Sequence, residues 1–233
     1  MQQGSRPNSD EVGSALDGMI CGLHLVEQRL TILDQEMVLV APRSVDDVID
    51  LYIGTSDKGA VQDTQDPYWC RAWPSAVALA ELIFKHPTLV KGKEVLELGC
   101  GLGIAGLAAA LAGAQQSVPT EAGQVSAATV DWQALETLHS LHPQVVVAAD
   151  VMYDSLAPAL LAKVLRHLGQ RGSPLTAFIA DPEERTKHHR REFLSLVSSG
   201  PDASFTVESN QVHKVLMDGI TSSIRIMQLK ARS

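Results

Sequence analysis

The stretch Val95-Leu96-Glu97-Leu98-Gly99-Cys100-Gly101-Leu102-Gly103 decides the fold. Its first four residues read as a short buried strand. The strand runs into a glycine turn, and the Ala/Leu-rich segment Ile104 to Leu111 continues as a helix. Glycine permits so tight a turn and lets a ligand lie against the helix N-terminus, where unpaired backbone N–H groups gather. With no ligand, the same residues make only a strand-to-helix turn. The frame Gly101-x-Gly103-x-x-Gly106 also fits the dinucleotide fingerprint, so the glycines alone decide little.

Outward from the turn, strand and helix patterns alternate. Val145 to Ala149 is an unbroken apolar strand, and further strands are predicted over 125–132, 175–180, 204–208 and 223–229. Helices are predicted over 74–86, where Pro74 suits a first turn, and over 155–168 and 182–197. This alternation gives an α/β class and a Rossmann-like, doubly wound, mostly parallel sheet. Before Pro67 the pattern differs. A polar start to about residue 18 reads as disordered, 24–26 and 37–40 as a strand pair, 45–52 as a helix capped by Ser44, and 54–66 as a polar connector. The expected organisation is an N-terminal extension, 1–66, and a main domain, 67–233.

Composition narrows the function. The chain has 233 residues, is 45% hydrophobic and carries a formal net charge of -8, so it can bury a core but would repel a phosphate backbone. No nucleic-acid partner is expected. Cys21, Cys70 and Cys100 are too few and too scattered for a disulfide framework or a metal knuckle, and a reducing compartment follows. Residues 1–11 do not read as a signal peptide, and the apolar stretch 102–114 is shorter than the ~20 residues a membrane span needs. The expectation is a cytoplasmic protein, also nuclear as an alternative, with no membrane contact and no metal.

Glu97 separates the ligands that such a turn can hold. A carboxylate there would repel a pyrophosphate, whereas S-adenosylmethionine has no phosphate and carries a cationic ammonium and sulfonium. Residue chemistry leans towards the methyl donor over a dinucleotide. At this point the chain resembles the class I, seven-strand S-adenosylmethionine-dependent methyltransferases, whose first motif matches Glu97-x-Gly99-x-Gly101-x-Gly103. Three more segments are similar to the branch containing protein-lysine methyltransferases. They are Pro67-Tyr68-Trp69 to Trp73-Pro74-Ser75-Ala76, Asp131-Trp132, and Ala149-Asp150-Val151-Met152-Tyr153. The resemblance implies that Trp73, Glu97, Gly99, Cys100, Gly101, Gly103, Asp131, Trp132 and Ala149 contact the cofactor. It implies that Asp150 and Tyr153 receive and align a lysine amine of a protein substrate.

The pattern departs from the family between Ala114 and Asp131. A doubly wound sheet of this type places a second strand after the glycine-loop helix, ending in an acid about 20 residues past the loop that holds the ribose. Glu121 stands at that distance, but Gln115 to Val130 has room for one strand and a loop, not for strand, helix and strand. A reduced second strand-helix unit is therefore expected. Two alternatives to the lysine methyltransferase remain open: a small-molecule N-methyltransferase, and a non-catalytic protein of this type that acts by binding a partner. Arg185 to Arg191, the one dense basic run, reads as the solvated face of a helix, with His188 and His189 pointing to different sides.

Overall fold

The computed structural model describes residues 18–20, 22–56, 67–115, 125–170, 174–200 and 203–232. The expected disordered start, positions 57–66 of the connector, and Glu121 lie outside the described residues. The chain divides into two compact units, residues 1–71 and 72–233.

In the first unit, β1 (Gly18–Ile20), β2 (Leu23–Ile32) and β3 (Gln35–Pro42) form an antiparallel sheet in that order. The period of two is explicit in β3, where Met37, Leu39 and Ala41 are buried and Val38 and Val40 exposed. The expected strand pair forms, as one long hairpin that pairs Ile32 with Gln35. Helix α1 (Val45–Ser56) follows Ser44, whose hydroxyl accepts the Asp46 N–H at 3.0 Å. The helix buries Val48 against Leu23 and Cys70.

The second unit runs α2 (Pro74–Lys85), β4 (Val95–Leu98), α3 (Ile104–Leu111), β5 (Val145–Ala149), α4 (Ala157–Gly169), β6 (Thr176–Pro182), α5 (Lys187–Ser198), β7 (Phe205–Met217) and β8 (Ile220–Ala231). Its sheet has the order β4-β5-β6-β8-β7. Strands β4, β5 and β6 are parallel, and β8 is antiparallel to both β6 and β7, so β8 alone is reversed. Helix α2 packs on α3, and α4 on α5. Val146 and Ala148 of β5 join Leu161, Leu165 and Phe193 in one cluster, while Val145 and Val147 alternate to the opposite face. All four valines and alanines named on β5 are fully buried, as a sheet covered on both faces requires.

Three elements differ from expectation. Residues 125–131 form no strand; Val125 and the Ser/Ala/Thr residues after it are exposed and find no ladder partner. Helix α5 begins at Lys187 rather than Pro182, because β6 continues through Pro182 and the next residues make a turn. The last two strands are longer than predicted and form a hairpin turned at Asp218-Gly219. Among the described residues β4 and β7 are the two edge strands, and the only pairing beside the free edge of β4 is a parallel bridge from Glu94 to Gln115.

Candidate functional site

The glycine turn sits where β4 hands over to α3. Gly103 takes the N-cap position with φ of 74°, a left-handed conformation that a side chain rarely adopts, and so supplies no cap of its own. The cap comes from Glu97 instead. Its carboxylate accepts the Gly106 N–H at 2.7 Å, from the first turn of α3. Gly106 makes room for that carboxylate, since a Cβ there would lie 2.7 Å from Glu97 Oε2. The third glycine of the dinucleotide-like frame is therefore explained by the acid. The positive end of α3, the place where a phosphate binds in other folds, is already taken by a negative group of the chain itself.

Burial pushes the Glu97 carboxyl up from its usual 4.5 to about 7, against the pull of the Gly106 and Ala105 amides. A carboxyl whose folded pKa is raised binds more protons folded than unfolded, so its contribution is favourable at acid pH and lost as pH rises. The chain should lose roughly 3 kcal/mol through this group between about pH 4.5 and pH 7. Glu97→Gln, which keeps the amide acceptor, should remove that fall. Urea melts of both proteins across this range check it, and parallel curves would contradict it.

Gly99 is held in a left-handed turn, φ 64°, at the carboxyl end of β4. A Cβ there would lie 2.8 Å from Val151 Cγ1 and 3.7 Å from Trp132 Cζ2. The glycine turn, the indole of Trp132 and the segment after β5 thus meet at one place, at the carboxyl ends of parallel strands where sheets of this kind bind ligands. Trp132 is half-buried and packs against the core, and Asp131 shapes the turn beneath it by accepting the Gln133 N–H at 2.8 Å. Asp131-Trp132 therefore stands on a turn ahead of the 3-10 segment Leu135–Leu138, not at the end of a strand. Cys100 and Gly101 are exposed in the loop. Burial and the neighbouring Glu97 push the Cys100 thiol up, so it is not an activated nucleophile.

Asp150 follows β5 with φ of 56°, one of three non-glycine residues at positive φ among those described. Its N–H donates to Ala180 O at 2.9 Å, fixing it to β6, and its side chain is 6% exposed. It does not cap α4. That task falls to Asp154, whose Oδ1 accepts the Leu156 and Ala157 N–H groups at 2.7 and 2.9 Å. The carboxylate of Asp150 is paired instead with the guanidinium of Arg185, which lies 5.6 Å from the ring centre of Trp73. Burial pushes Asp150 up and Arg185 opposes it. These three residues line a cavity of about 370 Å³ with Pro74, Glu184 and Ser223. Ala149, Tyr153 and Trp132 are not in its wall; Tyr153 is half-exposed.

The basic run is solvated at Arg185, Lys187, His188 and Arg191, as expected, but turns Thr186, His189 and Arg190 inward. Arg190 is buried in an ion network, with Nη1 at 2.8 Å from Asp181 Oδ2 and 2.9 Å from Pro182 O, and Nη2 at 2.6 Å from Glu183 O. His189 is buried, its Nδ1 2.9 Å from Met152 O, whereas His188 is exposed; their ring centres lie 3.8 Å apart with the planes tilted by 44°. Glu183 accepts from Arg225, which holds it below the usual range, and Thr186 donates to Asp181. The sequence reading missed Arg185 and this network. The signal was there in Asp181 to Arg185, which end a parallel strand and make the turn after it, at the same end as Asp150.

Comparison with known proteins finds similarity to lysine methyltransferases. The family model for lysine methyltransferases matches residues 58–121. The electron transfer flavoprotein beta subunit lysine methyltransferase of Xenopus laevis is 30% identical over 50% of this chain and 53% of its own length. That of Danio rerio is 40% identical over 27% of this chain and 24% of its own. The human protein-lysine N-methyltransferase EEF2KMT is 31% identical over 41% of this chain and 39% of its own. The chain thus spans about half or less of the relatives it matches. These similarities bear out the resemblance to the lysine branch of the class I methyltransferases.

Proposed function

We propose that this chain transfers a methyl group from S-adenosylmethionine to a lysine side chain of a protein. The observation that carries the reading is the convergence of Gly99, Trp132 and Val151 beside Asp150 at the carboxyl ends of β4 and β5. The donor set fits the cofactor, because Glu97 takes the Gly106 N–H at the start of α3, where a phosphate would bind, and S-adenosylmethionine has no phosphate. Glu97, Gly99, Cys100, Gly101, Gly103, Asp131, Trp132 and Ala149 would hold it, while Trp73, which lines the cavity of Asp150 and Arg185, would face the substrate instead. When bound, S-adenosylmethionine supplies an electrophilic methyl on its sulfonium. Asp150 would receive the lysine ammonium and take its proton, because an ammonium has no lone pair; with Tyr153 aligning it, the neutral amine would then form the N–C bond as the S–C bond breaks and the thioether leaves.

Calorimetric titration with S-adenosylmethionine tests the binding half of this reading. One site per chain is expected, and Trp132→Ala should weaken it about tenfold or more by removing an adenine platform. Unchanged affinity in the variant contradicts the assignment of Trp132. A second reading, a partner-binding protein without transfer activity, is favoured by the outermost position of β4, which leaves that side of the turn without a neighbouring strand among the described residues. Absence of any cofactor binding supports that reading.

A further inference from the structure

Arg185 stands where the proposed function puts the substrate. A buried carboxylate beside an aromatic face is a recognition site for an alkylammonium group. Asp150 and Trp73 make such a site, and the guanidinium of Arg185 already lies on both. The turn that carries it is fastened on either side. The Glu183 N–H donates to Ser223 O at 2.9 Å, Arg190 binds Pro182 O and Glu183 O, and Thr186 binds Asp181. The backbone is therefore fixed, yet the Arg185 side chain is 50% exposed and needs only rotation about its own bonds to leave.

Resting on the lysine-methyltransferase reading, we propose that Arg185 is a resident stand-in for the substrate, occupying the amine subsite of Asp150 and Trp73 until an incoming alkylammonium displaces it. The exchange of one cation for another never leaves the carboxylate of Asp150 buried and unpaired, a state that is costly. A neutral side chain entering the same subsite would do so. Arg185 thereby excludes uncharged groups and sets the threshold that a lysine must pass.

The test is a titration with n-butylammonium chloride at constant ionic strength, followed by the indole N–H resonance of Trp73, which Trp73→Phe identifies. Relative to wild type, Arg185→Ala should bind n-butylammonium about tenfold more tightly, since the Arg185 side chain, with its ion pair to Asp150 and its cation–π contact, no longer competes. The gain should vanish in the double variant Arg185→Ala, Asp150→Asn, and n-butanol should show none. Equal affinity in wild type and Arg185→Ala overturns the proposal, as does a gain that survives Asp150→Asn or is shared by n-butanol. The titration contains no cofactor, so a wild-type chain that binds the probe in this way yet transfers no methyl counts against the proposed function alone.

Discussion

Asp150→Asn should lower methyl transfer about 100-fold or more while the protein still unfolds cooperatively. The choice of asparagine follows from the backbone. Asp150 sits at φ 56°, where Asn and Asp are tolerated and alanine adds strain, so Asp150→Ala would mix a folding cost into the result. The N–H bond to Ala180 O survives the change. What is lost is the negative charge that pairs with a cation in the cavity beside Trp73. A neutral amide neither attracts an ammonium nor takes up the proton that it must shed before the amine meets the methyl. Transfer at the wild-type rate contradicts the role given to Asp150, and an unfolded variant is identified by its circular dichroism before any rate is read.

The second large effect is on stability. Arg190→Met should destabilise the chain by about 3–5 kcal/mol at neutral pH, because it leaves Asp181 buried without its cation. Asp181 is fully buried, and its pKa stands at about 6 against an ordinary 3.8, raised by burial and lowered by Thr186 and Arg190. Losing Arg190 moves it further up. The raised folded pKa means that protonation favours the folded form, so the penalty is complete above the folded pKa and shrinks as pH falls. Denaturant melts at pH 7.5 and pH 4.5 should therefore show a smaller gap between variant and wild type at the lower pH. Adding Asp181→Asn should recover part of the loss. A gap independent of pH would show that Arg190 acts through its packing alone.

How far these features were legible follows from what each residue depends on. The turn from Glu97 to Gly103 and strand β5 are local: glycine placement and an unbroken apolar run are properties of a few adjacent residues, and both elements stand where the sequence put them. Residues 125–131 failed for the opposite reason. A strand needs a partner, and this segment has none among the described residues. Within the basic run Arg190 departed from expectation, because charge was taken as a sign of solvent. Arg190 is buried only because Asp181, Glu183 and Pro182 converge on it from the end of β6. Likewise the pairing of Asp150 with Arg185 spans 35 positions and depends on β5 and β6 being parallel neighbours in register. The explanation of Gly106 by Glu97 also needed coordinates, since the glycine fits a dinucleotide frame equally well on spacing.

The most direct measurement is incubation of the protein with S-adenosylmethionine carrying a labelled methyl group and a whole-cell protein extract, followed by acid hydrolysis and separation of the amino acids. The account predicts label in methylated lysine with wild-type protein and its loss with Asp150→Asn. Label confined to small molecules, or no label above a blank without the protein, would contradict it.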